Sequence, residues 1–192
     1  MNQESGIVEK EIVVSEERGI FKESFLFIDK LPKKINWKIR LAGRGSKAEL
    51  VVVYVGRNKG ETEMDIALVH EAEETYGRVI IKAALFDEAR LTVKGMLEIG
   101  LHAKNSDSYL LARVLLVSPR ARAEIDPHLE IHTDAVKASH GASIGRLDEQ
   151  QLFYMQSRGV RRQDAQYIIL SAFFRDVAMG LPVANKQDFF QL

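Results

Sequence analysis

His128, Glu130 and His132 alternate along the chain. On an extended strand this spacing turns all three side chains to one face, with Leu129 and Ile131 turned toward the core. Two imidazoles and a carboxylate are ligands for a divalent ion, but a straight row of ligands converges poorly on one ion. The segment therefore reads as a solvated face, with Glu130 kept as a candidate metal ligand. Asp126, Glu130 and Asp134 are the only clustered carboxylates that could share general acid and base work on a glycosidic bond. No catalytic motif surrounds them. His140, in Ser139-His140-Gly141-Ala142, offers an imidazole suited to iron; its structural reading is a hydrogen bond in the turn that precedes a helix. His70 and His102 are isolated and read as structural or exposed. Gly43-Arg44-Gly45-Ser46-Lys47 lacks the spacing that wraps backbone N–H groups around phosphates, so it reads as a turn and no ATP site is expected.

The chain of 192 residues has 27 Lys and Arg against 27 Asp and Glu, a net charge of zero. That balance gives no general pull toward nucleic acid or an anionic membrane, and neither is an expected partner. There is no cysteine, which excludes a disulfide, a thiolate zinc site and a cysteine nucleophile. The start of the chain, with Glu4 and Glu9, does not read as a secretory signal, and no stretch approaches the ~18–20 apolar residues of a membrane span. A cytoplasmic protein is expected. The length suits one domain, or one core with a small appendage.

Period-two alternation dominates residues 35–131. Val51, Val53 and Val55 share a parity, as do Met64, Ile66 and Leu68, then Val79, Ile81, Ala83 and Leu85, then Leu91, Val93, Leu97 and Ile99. Each run is a strand with a buried face. The strand centres Val53, Ile66, Ile80, Val93, Leu115 and Leu129 are evenly spaced apart from one longer connection, which suggests a repeated unit. Hairpin chemistry is sparse: Asn58-Lys59-Gly60 suits one turn, and no Asn-Gly or Asp-Gly occurs. A sandwich of hairpins and a β-solenoid both fit. Asp126-Pro127 reads as the end of a strand. Asp148, followed by Glu149-Gln150-Gln151, reads as a helix N-cap, and Gly159 as the stop. A second helix starts near Gln163, with Ala165, Ile168, Ile169, Ala172, Phe173 and Val177 as an apolar stripe and Gly180 and Pro182 at its end. Gly141 and Gly145 read as the tight reversal before the first helix. Phe189 and Phe190 lie in a terminal tail.

Residues 129–159 read LEIHTDAVKASHGASIGRLDEQQLFYMQSRG. This run resembles the C-terminal signature of the SufB/SufD family of iron–sulfur cluster assembly scaffolds, in its SufD-like form. ALFDEARLTVKGMLEI at 84–99 and LLARVLLVSPRARAEIDPHLEI at 110–131 resemble the family's last coils. The resemblance implies a right-handed parallel β-helix followed by a small helical segment. The chain then divides into an entry segment or edge strands (1–34), a β-helix core (35–141), a helical subdomain (142–182) and a tail (183–192).

The resemblance also implies a function. Such chains are scaffolds, not enzymes. They pair through their β-helices with a SufB-like chain or with themselves, and their C-terminal helices bind a SufC-like ABC ATPase. Phe153, Gln156, Arg158, Arg161, Asp164 and Phe173 become the partner-binding candidates, with the apolar stripe of the second helix as core. His140 becomes the cluster-assembly and metal candidate. No cofactor is expected to be stably bound; iron or an iron–sulfur cluster would be met transiently, with a partner. The position two before His140, often cysteine in the family, is Ala138, so this chain cannot accept sulfur through a thiolate. That departure keeps a second reading open, a purely architectural or regulatory member. A carbohydrate-active solenoid enzyme is the third.

Overall fold

The computed structural model describes residues 6–28 and 31–178. Ten strands precede two helices: β1 (Ile7–Val14), β2 (Ile20–Phe27), β3 (Lys34–Leu41), β4 (Lys47–Gly56), β5 (Glu61–His70), β6 (Tyr76–Leu85), β7 (Arg90–Ile99), β8 (Asp107–Leu116), β9 (Arg122–Ile131), β10 (Lys137–Arg146), α1 (Glu149–Ser157) and α2 (Arg162–Ala178). No strand pairs with its neighbour in the chain. Odd strands form one sheet in the order β1-β3-β5-β7-β9, and even strands form the other, β10-β8-β6-β4-β2. Every pairing is parallel. This is a parallel β-solenoid of five coils, each contributing one strand to each sheet, and the sandwich is excluded. All six of the evenly spaced centres fall in strands; their spacing is that of half a coil.

The corners explain the missing hairpin signals. Arg18, Asn58, Glu74, Asp87 and Asn105 have φ between 53° and 60°, and Gly45 has φ 66°. Asn and Asp tolerate the left-handed region, so these single residues turn the chain from one sheet to the other. Equivalent corners stack through backbone bonds, Arg18 N to Arg44 O, Gly45 N to Glu73 O, Glu74 N to Lys104 O and Asn105 N to Ala135 O. The Gly43–Lys47 segment is one such corner. A Cβ at Gly43 would lie 2.0 Å from the Glu16 carbonyl oxygen, so glycine is required there by close approach of the coil below.

The interior is a stack of apolar rows, among them Ile35, Ile39, Met64, Ile66, Leu68, Val93 and Leu97 from the odd sheet and Leu50, Val52, Val79, Ile81 and Leu110 from the even one. A second core lies outside the even sheet. Val53, Ala84 and Leu115 point outward yet are buried, because Leu152, Ala165, Leu170, Phe174 and Val177 of the helices cover them. Strands buried on both faces read as continuous apolar runs, and VVVYV, VIIKAAL and LLARVLL are such runs. Among the described residues the outer face of the odd sheet has no such cover and carries ion pairs instead, Arg40–Glu71, Lys34–Glu63 and Lys94–Glu63 among them.

Three expectations change. Pro127 does not end a strand; it sits in the middle of β9. The nitrogens of Arg122 and His132 bond back toward β7, so alternation turns the Pro127 nitrogen to the free edge, where a missing N–H costs no ladder bond. Residues 142–146 belong to β10, not to the helical segment, and Gly141 and Gly145 are strand residues without positive φ. Among the described residues no helix is long and apolar enough to cross a membrane. Gly180, Pro182, Phe189 and Phe190 lie outside the described residues.

Candidate functional site

The helices are built as their local sequence dictates. The Asp148 carboxylate accepts from the backbone N–H groups of Gln150 and Gln151, capping α1. At its other end Gly159 takes φ 86°, and the bonds Gly159 N to Gln156 O and Val160 N to Met155 O close a Schellman motif. With both ends fixed, Leu152 is buried against the even sheet, while Phe153 is turned outward at 73% exposure beside an exposed Tyr154. The Arg158 guanidinium lies over the Tyr154 ring at 5.4 Å.

Charged side chains pin the two helices. Arg162 donates to Glu149 through two bonds of 2.7 and 2.9 Å, and Arg161 to Asp164 through bonds of 2.7 and 3.1 Å. These guanidinium bonds hold the Glu149 and Asp164 carboxyls below the usual carboxylate range. Arg161 and Asp164 thus neutralise each other, and Gln156 and Arg158 are exposed with Phe153.

The stripe on α2 is rotated from its expected position. Leu170 and Phe174 are buried with Ala165 and Val177, whereas Ile168 is 47% exposed and Ala172 faces solvent. The physical reason is the flat sheet beneath: α2 lays one side on β4, β6 and β8, and Phe174 rather than Ile168 falls on that side. Phe173 is half-buried, edge-on to Phe174 at 4.9 Å and 5.1 Å from the Lys82 ammonium. It is a packing residue of the helix–sheet contact. Phe153, Tyr154, Tyr167 and Ile168 are the large apolar side chains that the helices expose.

The last coil holds the second group of candidates. His140 lies in β10 opposite Leu110 of β8, not in a turn between coil and helix. It shares the inward parity of Leu110, but among the described residues no further coil covers it, and it is exposed. The same absence of a covering coil leaves Leu129, Ile131 and Ile144 exposed, so Leu129 and Ile131 are not core residues. On the outward face of β9 the expected row divides into two pairs, His128 Nε2 to Asp126 and His132 Nε2 to Glu130, each at 2.9 Å. Among the described residues no three His, Asp or Glu side chains are grouped to hold a metal ion.

The structural reading of His70 holds, and a second buried polar site, at Lys82, escaped the sequence. His70 is fully buried, with Nδ1 2.7 Å from Thr75 Oγ1 and Nε2 2.9 Å from Ser108 Oγ. Lys82, inside the apolar run VIIKAAL, is buried beneath α2 and donates to the Phe173 carbonyl and to Asp176. A lysine interrupting a run buried on both faces was the available signal for the second.

The family model for the SufBD core domain of SUF-system FeS cluster assembly matches residues 9–173. The chain belongs to the SufB/SufD family. Among curated members of the family, it is 29% identical over 171 residues to the iron-sulfur cluster assembly protein SufD of Escherichia coli, covering 89% of this chain and 40% of that one. It is 30% identical to SufD of Bacillus subtilis, covering 74% and 33%, and 31% identical to a SufBD family protein of Synechocystis, covering 71% and 30%. The chain thus spans two fifths or less of these relatives. The match runs through all five coils into α2, so the family's core domain takes in both the coils and the exposed helical surface.

Proposed function

We propose that this chain is a non-enzymatic scaffold subunit of SUF iron–sulfur cluster assembly that docks a SufC-like ABC ATPase through the outer surface of α1 and α2. The observation that carries the reading is Phe153: a large aromatic side chain, mostly exposed, on a short helix whose caps and buried Leu152 hold it rigidly outward. Exposed aromatics on rigid elements are the common anchors of protein interfaces. Tyr154, Gln156, Arg158, Tyr167 and Ile168 surround the role with apolar and polar contacts, and the Arg161–Asp164 pair marks its charged edge.

The end of the solenoid is the second interface. Leu129, Ile131 and Ile144 are exposed beside β9 and β10, which among the described residues are the edge strands of their sheets. Such an edge takes another strand, and a SufB-like chain or a second copy is the proposed occupant. His140 lies on this end, where its imidazole would meet iron as cargo shared with the partner. The absence of cysteine favours a second reading, in which the chain holds the complex together without handling iron or sulfur.

Co-expression with a SufC-like ATPase tests the docking. The wild-type chain is expected to co-purify with it, and Phe153→Asp to lose it while keeping its circular dichroism spectrum. Retained binding by a folded Phe153→Asp chain would exclude this surface. In the assembled complex, His140→Ala separates the two readings of the last coil: loss of cluster absorbance supports a direct role, unchanged absorbance the architectural one.

A further inference from the structure

Lys82 and Arg113 stand opposite each other on β6 and β8, both on the outward face of the even sheet. Like charges directly across a pair of strands repel. Arg175, in the last turn of α2, lines the same cleft of about 530 Å³ together with Ala172, Phe173 and Asp176. Three cations therefore face one carboxylate. That carboxylate is already committed, since Asp176 pairs with Lys82, whose side chain is almost wholly buried. Among the described residues neither Arg113 nor Arg175 belongs to an ion pair. The C-terminal dipole of α2 accounts for a cation at Arg175, but not for Arg113, which comes from the sheet.

We propose that this cleft binds an oxyanion, a phosphate or a carboxylate, clamped by Arg113 and Arg175 over the Lys82–Asp176 pair. The guanidinium fork presents paired N–H donors that match either group. The buried ammonium below is fixed by the Phe173 carbonyl at 2.7 Å, so the floor of the site is preorganised. The ligand is either a free phosphate-bearing molecule or the acidic side chain of a docked protein.

The test uses the full chain without any partner, so its outcome does not depend on the scaffold reading. Inorganic phosphate and glutarate are titrated separately by calorimetry and thermal unfolding, with chloride holding ionic strength constant. At least one probe is expected to bind saturably and raise the unfolding temperature by a few degrees. The doubly substituted chain, Arg113→Gln with Arg175→Gln, is expected to lose that rise while unfolding at its own unliganded temperature. Tighter phosphate binding assigns a free phosphate ligand; tighter glutarate binding assigns an acidic side chain. Failure of both probes to bind, a shift matched by chloride, or a shift that survives the double substitution would overturn the site.

Discussion

The Lys82 ammonium donates a 2.7 Å hydrogen bond to the Phe173 carbonyl oxygen, joining β6 to α2 across 91 residues of chain. Its ion-pair partner Asp176 sits on the solvent side: the lysine side chain is 4% exposed and the aspartate 61%. Removing the two partners should therefore have unequal effects. Lys82→Met leaves a solvated carboxylate and is expected to cost under about 1 kcal/mol, whereas Asp176→Ala strands a buried ammonium and is expected to cost about 2 kcal/mol. Combining them should recover most of that loss. Urea denaturation of the four chains gives the cycle, and equal losses from the two single substitutions would refute the asymmetry.

His70 makes stability depend on pH. Burial pushes its imidazole down from 6.5 to about 4. Between those values the unfolded chain holds a proton that the folded chain does not. The stabilisation is thus complete above pH 6.5 and is lost as pH falls from there to about 4, in all by about 3 kcal/mol. His70→Gln is expected to flatten that slope, as measured by denaturant unfolding at a series of pH values between these limits. A slope as steep in the variant would assign the effect to other groups.

Two glycines should respond in opposite ways to alanine. At Gly43 the added methyl would meet the Glu16 backbone carbonyl, which no rotamer change can relieve, whereas at Gly145 nothing lies within 4 Å. Gly43→Ala is expected to destabilise by about 2 kcal/mol or more. Gly145→Ala should stay within about 0.5 kcal/mol of the parent. Thermal unfolding compares them directly.

Phe153 and Phe173 should part company in the same way. Phe153→Asp places a carboxylate in water and is expected to change stability by no more than about 0.5 kcal/mol. Phe173→Asp places one against the Phe174 ring and the second core, and is expected to cost about 3 kcal/mol or more. Hydrogen exchange of α2 amides should report the second loss as early opening of that helix. Binding assays built on Phe173 would therefore confuse misfolding with lost docking.

Much of this architecture could be read before it was seen. The alternation in β5 and β7 names their inward residues one by one, and the Asp148 cap and Gly159 stop bound α1 to within a residue. The choice between hairpins and coils was not legible from periodicity, because Asn58 and Asp87 suit a corner between sheets as well as a hairpin turn. Pro127 misled for a related reason: a proline breaks an interior strand but not the free side of an edge strand, and edge position is a property of the whole sheet. The α2 stripe was legible as amphipathic, yet its facing was decided by the even sheet below. The clue to that cover, apolar runs without alternation in β4, β6 and β8, lay in the sequence. At the last coil, the parity of His140, Leu129 and Ile131 follows from local pattern, but their exposure depends on what is stacked above them.

The register advances by the same 29 residues from β3 to β5, where Lys34 faces Glu63, from β4 to β6, where Lys47 faces Tyr76, and from β5 to β7, where Glu61 faces Arg90. An odd step flips numerical parity at each turn, which is why core residues are odd in β3, even in β5 and odd again in β7. Within this middle section length is therefore quantised. Splicing out one whole turn would leave every remaining side chain on its own side of the wall, while trimming a strand by a single residue would invert the lining from that point to the next corner.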